Sequence, residues 1–320
     1  WKAYWSNYRS RSIDSFEKHC DATIQGVLEP MKIRVISKGN ARLYYYAKPL
    51  QKILHSVMRK MSPFRLIGRP FCPTDLLDIS QTADPNWEWF SIDYSAATDG
   101  LSWAYSSRIF KYLIQDIPEF DREIAERVLG PHLLWYPCYG THGTPHDRGM
   151  QTNGQLMGSV LSFPILCLAN LGVYLSTTTE LHNDWSDDER LNSVLINGDD
   201  MLYCAPSHLW FVHETIGNCV GLRMSLGKAY HHPVYSNVNS TSCHFDLRKK
   251  SSQTPWQINF LNTGLFFGQH KVQERVEGAE AQEHSSTSNL SVVSVINVLL
   301  AGVLPGRQKD ILKKYLRQHE

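Results

Sequence analysis

Residues 193–204 read Ser193-Val-Leu-Ile-Asn197-Gly-Asp199-Asp200-Met-Leu-Tyr-Cys204, two mostly apolar runs around a polar centre. Runs of this kind flanking Asn-Gly predict a β-hairpin, because both residues tolerate the positive φ that a type I′ turn demands. The turn then carries two adjacent carboxylates, Asp199 and Asp200. Like charges at the tip of a buried hairpin are costly unless a cation or a positive partner neutralises them. An ordinary polar turn has the same letters, so the question is whether the rest of the chain supplies partners for these two acids.

Outward from the hairpin, the upstream side offers an aromatic-rich strand over residues 87–92 that ends at Asp93. Asp93-Tyr-Ser-Ala-Ala-Thr-Asp99-Gly100 follows, two carboxylates six positions apart at a strand end and in the turn after it. Helical stretches near 103–113 and 122–129 come next, then a Gly, Pro, His and Thr loop over 136–149. Residues 150–179 hold no charge, and the apolar run 156–175 is about as long as a membrane span requires. Gly154, Gln155, Gly158, Ser159, Ser162, Pro164 and Asn170 speak against insertion, so the expectation is a buried helix and no membrane span. Residues 181–192 carry Asp184, Asp187, Asp188, Glu189 and Arg190 and read as a solvated loop. Downstream lie an amphipathic helix over 207–220 closed by Gly221, then Leu222-Arg-Met-Ser-Leu-Gly-Lys228, and a second hairpin over 236–245.

At the start of the chain, residues 1–29 show no clear period and are expected to form short helices. Residues 31–37 alternate, with Lys32 and Arg34 on one face of a strand and Ile33 and Val35 on the other, before a turn at Lys38-Gly39-Asn40. A helix over 43–61 follows despite Pro49. The end of the chain reads as a linker over 276–289, an apolar helix over 290–304 and a basic tail with Arg307, Lys309, Lys313, Lys314 and Arg317.

The composition, 320 residues with 42% apolar and 20% charged, fits a globular protein with a sizeable core. The net charge of +1 conceals a strong asymmetry. Residues 30–74 contain no acid and ten Lys or Arg, a block suited to phosphate. Seven scattered cysteines without a CxxC pair suggest neither a disulfide framework nor a zinc site, which fits a reducing intracellular compartment. The pairs His231-His232 and Cys243-His244 lack a second pair at metal-ligand spacing and read as packing residues. The chain opens on Trp1 with no charged-then-apolar leader, so it is expected to be a fragment of a longer, non-secreted protein.

The ordered set is a basic strand, Asp93 with Asp99, the loop Gly154-Gln-Leu-Met-Gly-Ser-Val-Leu-Ser-Phe-Pro164 entering a buried helix, Asn197-Gly-Asp-Asp200, and Gly221-Leu-Arg-Met-Ser-Leu-Gly-Lys228 with Asn239-Ser240 beyond. It closely resembles the palm signature of viral RNA-dependent RNA polymerases in the positive-strand group of narnaviruses, ourmia-like viruses and mitoviruses. Leu156 and the following Leu-Ser-Phe-Pro favour the ourmia-like branch.

The resemblance implies an α+β fold, a right-hand polymerase palm whose antiparallel sheet is backed by helices. It places a fingers portion at 1–84, the palm at 85–250 with a helical insertion near 103–150, and a linker with the beginning of a thumb at 251–320. It implies template-directed ribonucleotidyl transfer to an RNA 3′ end, with RNA template, nascent RNA and ribonucleoside triphosphates as partners, in the host cytoplasm. Two Mg²⁺ ions, or Mn²⁺, would be held by Asp93, Asp199 and Asp200, since paired divalent ions stabilise both attacking and leaving oxygens. Asp99 would bond the ribose 2′-hydroxyl, with Ser159 or Ser162 orienting it. Gly154 and Gly158 would let the loop move against a nucleotide. Lys32, Arg34 and Lys38 would line the triphosphate path, and Lys228 would protonate the departing pyrophosphate. The alternatives are a reverse transcriptase or two-metal nuclease, and a non-catalytic RNA-binding relic of a polymerase.

Overall fold

The computed structural model describes residues 20–29, 32–137, 146–181, 185–267, 272–273 and 292–319. In chain order these form β1 (Cys20–Glu29), β2 (Lys32–Gly39), α1 (Ala41–Met58), β3 (Glu88–Ile92), α2 (Trp103–Ile114), α3 (Glu119–Leu129), β4 (His132–Pro137), β5 (His146–Met150) and α4 (Ser162–Thr177). Then come α5 (Asp187–Asn192), β6 (Val194–Asn197), β7 (Asp200–Ala205), α6 (Leu209–Val220), β8 (Tyr230–His232), β9 (Tyr235–Val238), β10 (Thr241–His244), β11 (Trp256–Gln257), β12 (Val272–Gln273), α7 (Val292–Leu300) and α8 (Pro305–Gln318). Two compact units divide the chain. One holds Trp1–Thr23, Ser37–Trp135 and Arg148–Trp256, and the other Ile24–Ile36, Tyr136–Asp147 and Gln257–Glu320.

The first unit is organised on the antiparallel sheet β6-β7-β3-β8. β3 and β7 are buried along almost their whole length, which is why their sequences run apolar instead of alternating. Phe90, Ile92, Met201 and Tyr203 pack with Leu166, Cys167, Ala169, Val173 and Tyr174 of α4 in one core. α4 is therefore apolar all round because it is enclosed, as a helix without an outward face should be. Its 16 residues reach about 24 Å, short of the ~30 Å of a bilayer core. Among the described residues no helix is long and apolar enough to cross a membrane. α1 begins at Asn40, whose side chain accepts from the main-chain N–H groups of Arg42 and Leu43, and it continues through Pro49. α6 ends at Gly221 with φ +87°, as its glycine stop predicts.

Four expectations change. Residues 20–29 are a strand, not short helices; β1 starts parallel to β4, Cys20 opposite His132 through Thr23 opposite Trp135. The expected loop 136–149 is flanked by strand residues of β4 and β5, while 138–145 lie outside the described residues. The expected solvated loop before the hairpin contains α5, started by a capping box in which the Ser186 hydroxyl accepts from Glu189 N–H and the Glu189 carboxylate accepts from Ser186 N–H.

The fourth change concerns the hairpin turn. Asn197 pairs with Asp200 in the ladder, so the two-residue loop is Gly198-Asp199. Gly198 alone takes positive φ, +73°, as glycine does at the first central position of a two-residue loop. The predicted hairpin is present, but its turn lies one residue later than Asn-Gly implied. The turn with two consecutive positive φ values is Asn239 (+51°) and Ser240 (+58°), between β9 and β10.

In the second unit the later part of β1 pairs with β12, Val27 opposite Gln273 and Leu28 opposite Val272. β2 alternates as predicted, yet Ile33 and Val35 are 65% and 60% exposed, so its apolar face is uncovered. The apolar helix expected over 290–304 is α7, and the basic tail forms α8. Arg307, Lys314 and Arg317 line an open cavity of about 500 Å³ with Phe260 and Leu304. The linker expected over 276–289 and residues 1–19 lie outside the described residues.

Candidate active site

The antiparallel register of β3 and β7 runs from Glu88 opposite Ala205 to Ile92 opposite Met201. Asp93 follows Ile92 directly, and its charge acts on Asp200, the residue before Met201. Asp199 sits beside them in the hairpin loop. The strand end and the turn thus deliver three carboxylates to one end of the sheet. Burial, followed by the negative charges of Asp199 and Asp93, pushes the Asp200 carboxyl up to about 6. Two groups work in the opposite sense: the main-chain N–H of Asn239 donates to Asp200, and the Lys228 ammonium lies nearby. Asn239 also accepts from Asn197 Nδ2 at 2.9 Å, which fastens the β9–β10 turn to the β6–β7 hairpin.

Lys228 is 3.3 Å from Asp93 Oδ2, with its side chain 62% exposed. Its segment is bound to the end of β3 by main-chain bonds, Ser95 N–H to Arg223 O at 2.9 Å and Ser225 N–H to Asp93 O at 2.8 Å. Lys228 therefore supplies the positive partner that the carboxylates require. Among the described residues no group of three His, Cys, Asp or Glu forms a ready-made metal cluster. The donor chemistry nevertheless suits a hard cation. Three oxygen-bearing acids share one end of a sheet, and burial, followed by the charges of the other two, raises the protonation of Asp200.

Asp99 is exposed in the short helical turn after β3 and is held by the loop that precedes α4. Asn153 Nδ2 donates to the carbonyls of Asp99 and Gly100, both at 3.3 Å, and Gln155 N–H donates to Thr98 O at 2.6 Å. Gly154 has φ +73°, and a Cβ there would stand 2.4 Å from Asp99 O. A Cβ on Gly158, at φ +122°, would meet Ser37 O at 2.2 Å, where Ser37 N–H and Oγ–H both donate to Met157 O. In this structure the two glycines permit close backbone approach. Ser159 and Ser162 are both buried and donate to main-chain carbonyls, of Val128 and Leu156, so neither holds Asp99 here. Lys38 is exposed in the first unit, whereas Lys32 and Arg34 lie on the part of β2 in the second.

Sequence reasoning gave no role to Asn153, Asn170 or Asn239. For Asn153 and Asn239 a signal existed, since Asn-Gly and Asn-Ser are turn dipeptides. Asn170 left no signal, being a single amide in an apolar helix.

In the metal-free protein Asp200 makes stability fall as pH rises. Its folded value lies above the ordinary 3.8, so between about pH 4 and 6 the folded state holds more protons than the unfolded one. Asp200→Asn is expected to stabilise the metal-free chain on the order of 2 kcal/mol at pH 7.5 and by nothing near pH 4. Urea melts at the two pH values check this. Equal midpoints at pH 7.5 would show that the Asp200 charge is not held against burial and repulsion.

No family model matches the chain. The RNA-dependent RNA polymerase of Ourmia melon virus (isolate Melon/Iran/VE9) is 30% identical to it over 310 residues, 91% of this chain and 35% of that polymerase. The crystal structure of an insertion-loop deletion mutant of the RNA-dependent RNA polymerase of a human picorbirnavirus superposes with a TM-score of 0.60 at 12% identity, covering 93% of this chain and 57% of that one. Over most of its length the chain is similar to a viral RNA-dependent RNA polymerase. The chain spans about a third of the curated polymerase that it matches. The fold is the mixed α+β polymerase fold expected from the motifs, with antiparallel sheets and packed helices.

Proposed function

We propose that the chain is the catalytic portion of a viral RNA-dependent RNA polymerase that adds ribonucleotides to an RNA 3′ end and replicates a viral RNA genome in the host cytoplasm. The observation that carries the reading is the meeting of Asp93, Asp199 and Asp200 at one end of the β3–β7 pair. The polymerase likeness along almost the whole chain supports it. In this reading residues 85–250 are the palm, 1–84 part of the fingers and 251–320 the beginning of the thumb.

Asp93, Asp199 and Asp200 would hold two divalent ions, Mg²⁺ or Mn²⁺, which supply charge stabilisation to the attacking and leaving oxygens. Lys228 neutralises Asp93 while the site waits, and its three N–H donors suit it to protonate the departing pyrophosphate. Lys38 adds positive charge beside the loop that Ser37 anchors. Asp99 offers acceptor oxygens on an exposed turn and selects ribose by accepting from the 2′-hydroxyl; Ser159 or Ser162 would orient it after the loop moves.

A test of this assignment is the ratio of ribonucleotide to deoxyribonucleotide incorporation on an RNA template. Asp99→Ala is expected to lower that ratio at least tenfold, the worth of about one good hydrogen bond, while the metal concentration for half-maximal rate stays within about twofold. An unchanged ratio would remove Asp99 from sugar selection.

A further inference from the structure

One amide interrupts the apolar surface of α4. Asn170 is fully buried, where an unbonded amide is costly, and every polar atom it offers is engaged. Its Nδ2 lies 3.2 Å from Gly198 O and 3.4 Å from Asp199 O. Main-chain carbonyls only accept, so this end of the amide is the NH₂ group and Oδ1 is an acceptor. The Tyr94 hydroxyl, 3.0 Å from Oδ1, therefore donates to it. That leaves the Tyr94 oxygen to accept from His213 Nε2–H at 2.8 Å. The ring of a neutral histidine then has only Nδ1 left, which accepts from the Tyr203 hydroxyl at 2.9 Å.

The hydrogen bonds thus run in one direction, from Tyr203 through His213, Tyr94 and Asn170 to the carbonyls of the hairpin loop. All four side chains are buried. Burial holds His213 neutral, pushed down to about 3, in agreement with a ring that has one donor and one acceptor. The chain of bonds starts on β7, passes through the residue next to Asp93 and ends on Asp199 itself. One turn earlier on α4, Cys167 Sγ accepts from Gly198 N–H at 3.2 Å. The loop that carries Asp199 is thereby held from α4 on both sides of the Gly198 peptide.

We propose that Asn170, oriented by Tyr94, His213 and Tyr203, is a positioning residue that fixes Asp199 relative to Asp93. The inference rests on the polymerase reading for its consequence in catalysis, and on geometry alone for the order of the bonds. Asn170 touches neither nucleotide nor ion in this role; it sets the direction in which the Asp199 carboxylate leaves the loop. Mg²⁺ demands near-octahedral geometry, so a displaced carboxylate should penalise Mg²⁺ more than the more tolerant Mn²⁺. A general loss of folding lowers the active fraction and reduces both metals equally.

Three measurements on the full chain test this. In the metal-free protein at pH 7, ¹⁵N-histidine spectra are expected to show His213 as the Nε2–H tautomer, with its ring signals displaced in Tyr94→Phe. The Nδ1–H tautomer would overturn the order of the bonds. In nucleotide incorporation, Asn170→Leu removes the clamp but also withdraws the donor from the Gly198 and Asp199 carbonyls, so Tyr94→Phe, which keeps the ring, is the cleaner variant. It is expected to lose about tenfold in rate with Mg²⁺ and less than about threefold with Mn²⁺, with KM for the nucleotide within about twofold. Calorimetric titration of the same variant is expected to show Mg²⁺ binding weakened several-fold and Mn²⁺ binding within about twofold. Equal losses with both metals would overturn the positioning role. A wild type that incorporates nothing with either metal would defeat the proposed function instead, and the tautomer and the two metal affinities would still decide the inference.

Discussion

Asp199→Asn is expected to reduce incorporation of labelled ribonucleotide at least about a thousandfold while leaving RNA binding within about twofold. The substitution keeps the size of the side chain and removes its charge. A metal held at a reacting phosphate supplies several kcal/mol of charge stabilisation, and each 1.36 kcal/mol is tenfold in rate. Asp199 occupies the loop itself, where Gly198 bends the chain and Asn170 and Cys167 hold both sides of the Gly198 peptide. Asp200, the first residue of β7, receives an N–H from Asn239 and lies near the Lys228 ammonium, two groups that already offset part of its charge. Asp200→Asn is therefore expected to cost less, about ten- to a hundredfold. Filter binding of a short RNA beside the incorporation assay separates lost chemistry from lost substrate. Retention of wild-type activity by Asp199→Asn would remove the aspartate from the reaction.

Gly154→Ala has the second-largest expected effect, and it acts through the backbone. Its positive φ costs an L-residue about 1–2 kcal/mol. The new Cβ would also stand 2.4 Å from the oxygen, 2.7 Å from the carbonyl carbon and 2.8 Å from the Cα of Asp99. These are main-chain atoms, and they cannot swing aside as a flexible side chain would. The strand-end turn must shift, and Asp99 with it. A displacement near 1 Å in a reacting assembly costs about a hundredfold in rate. The expected result is a stability loss of about 2 kcal/mol or more with a hundredfold drop in incorporation. Gly149→Ala, where nothing lies within 4 Å of the new Cβ, serves as control and should be neutral. Wild-type behaviour in Gly154→Ala would show that the loop does not need this close approach.

The sequence made the hairpin, the strand before Asp93 and the enclosed helix legible because each rests on a local pattern: a turn dipeptide, an aromatic run, a long uncharged stretch. It misplaced the hairpin turn by one residue, since Asn-Gly is compatible with more than one register. The choice is made by the pairing of Asn197 with Asp200 and by the bond from Asn197 to Asn239, 42 residues away. β1 was legible in part and missed, because Cys20-Asp-Ala-Thr-Ile-Gln25 alternates apolar with polar and the strand that follows it, β2, pairs with it. Its pairing with β4, more than a hundred residues later, left no local signal. α5 was legible and missed, because Ser186-x-x-Glu189 is the pattern of a capping box. The roles of Asn153, Asn170 and Asn239 depend on distant groups that approach them, which no periodicity encodes. Ser159 and Ser162 illustrate the reverse, since two hydroxyls suited to a polar network are taken up by nearby carbonyls.

The most direct test of the central claim is the sequence of the product made by the wild-type chain on a defined RNA template with Mg²⁺ and four ribonucleoside triphosphates. The polymerase account predicts RNA complementary to the template, extended from a 3′ end and absent when the metal is chelated. No product, or additions whose order ignores the template, would contradict it.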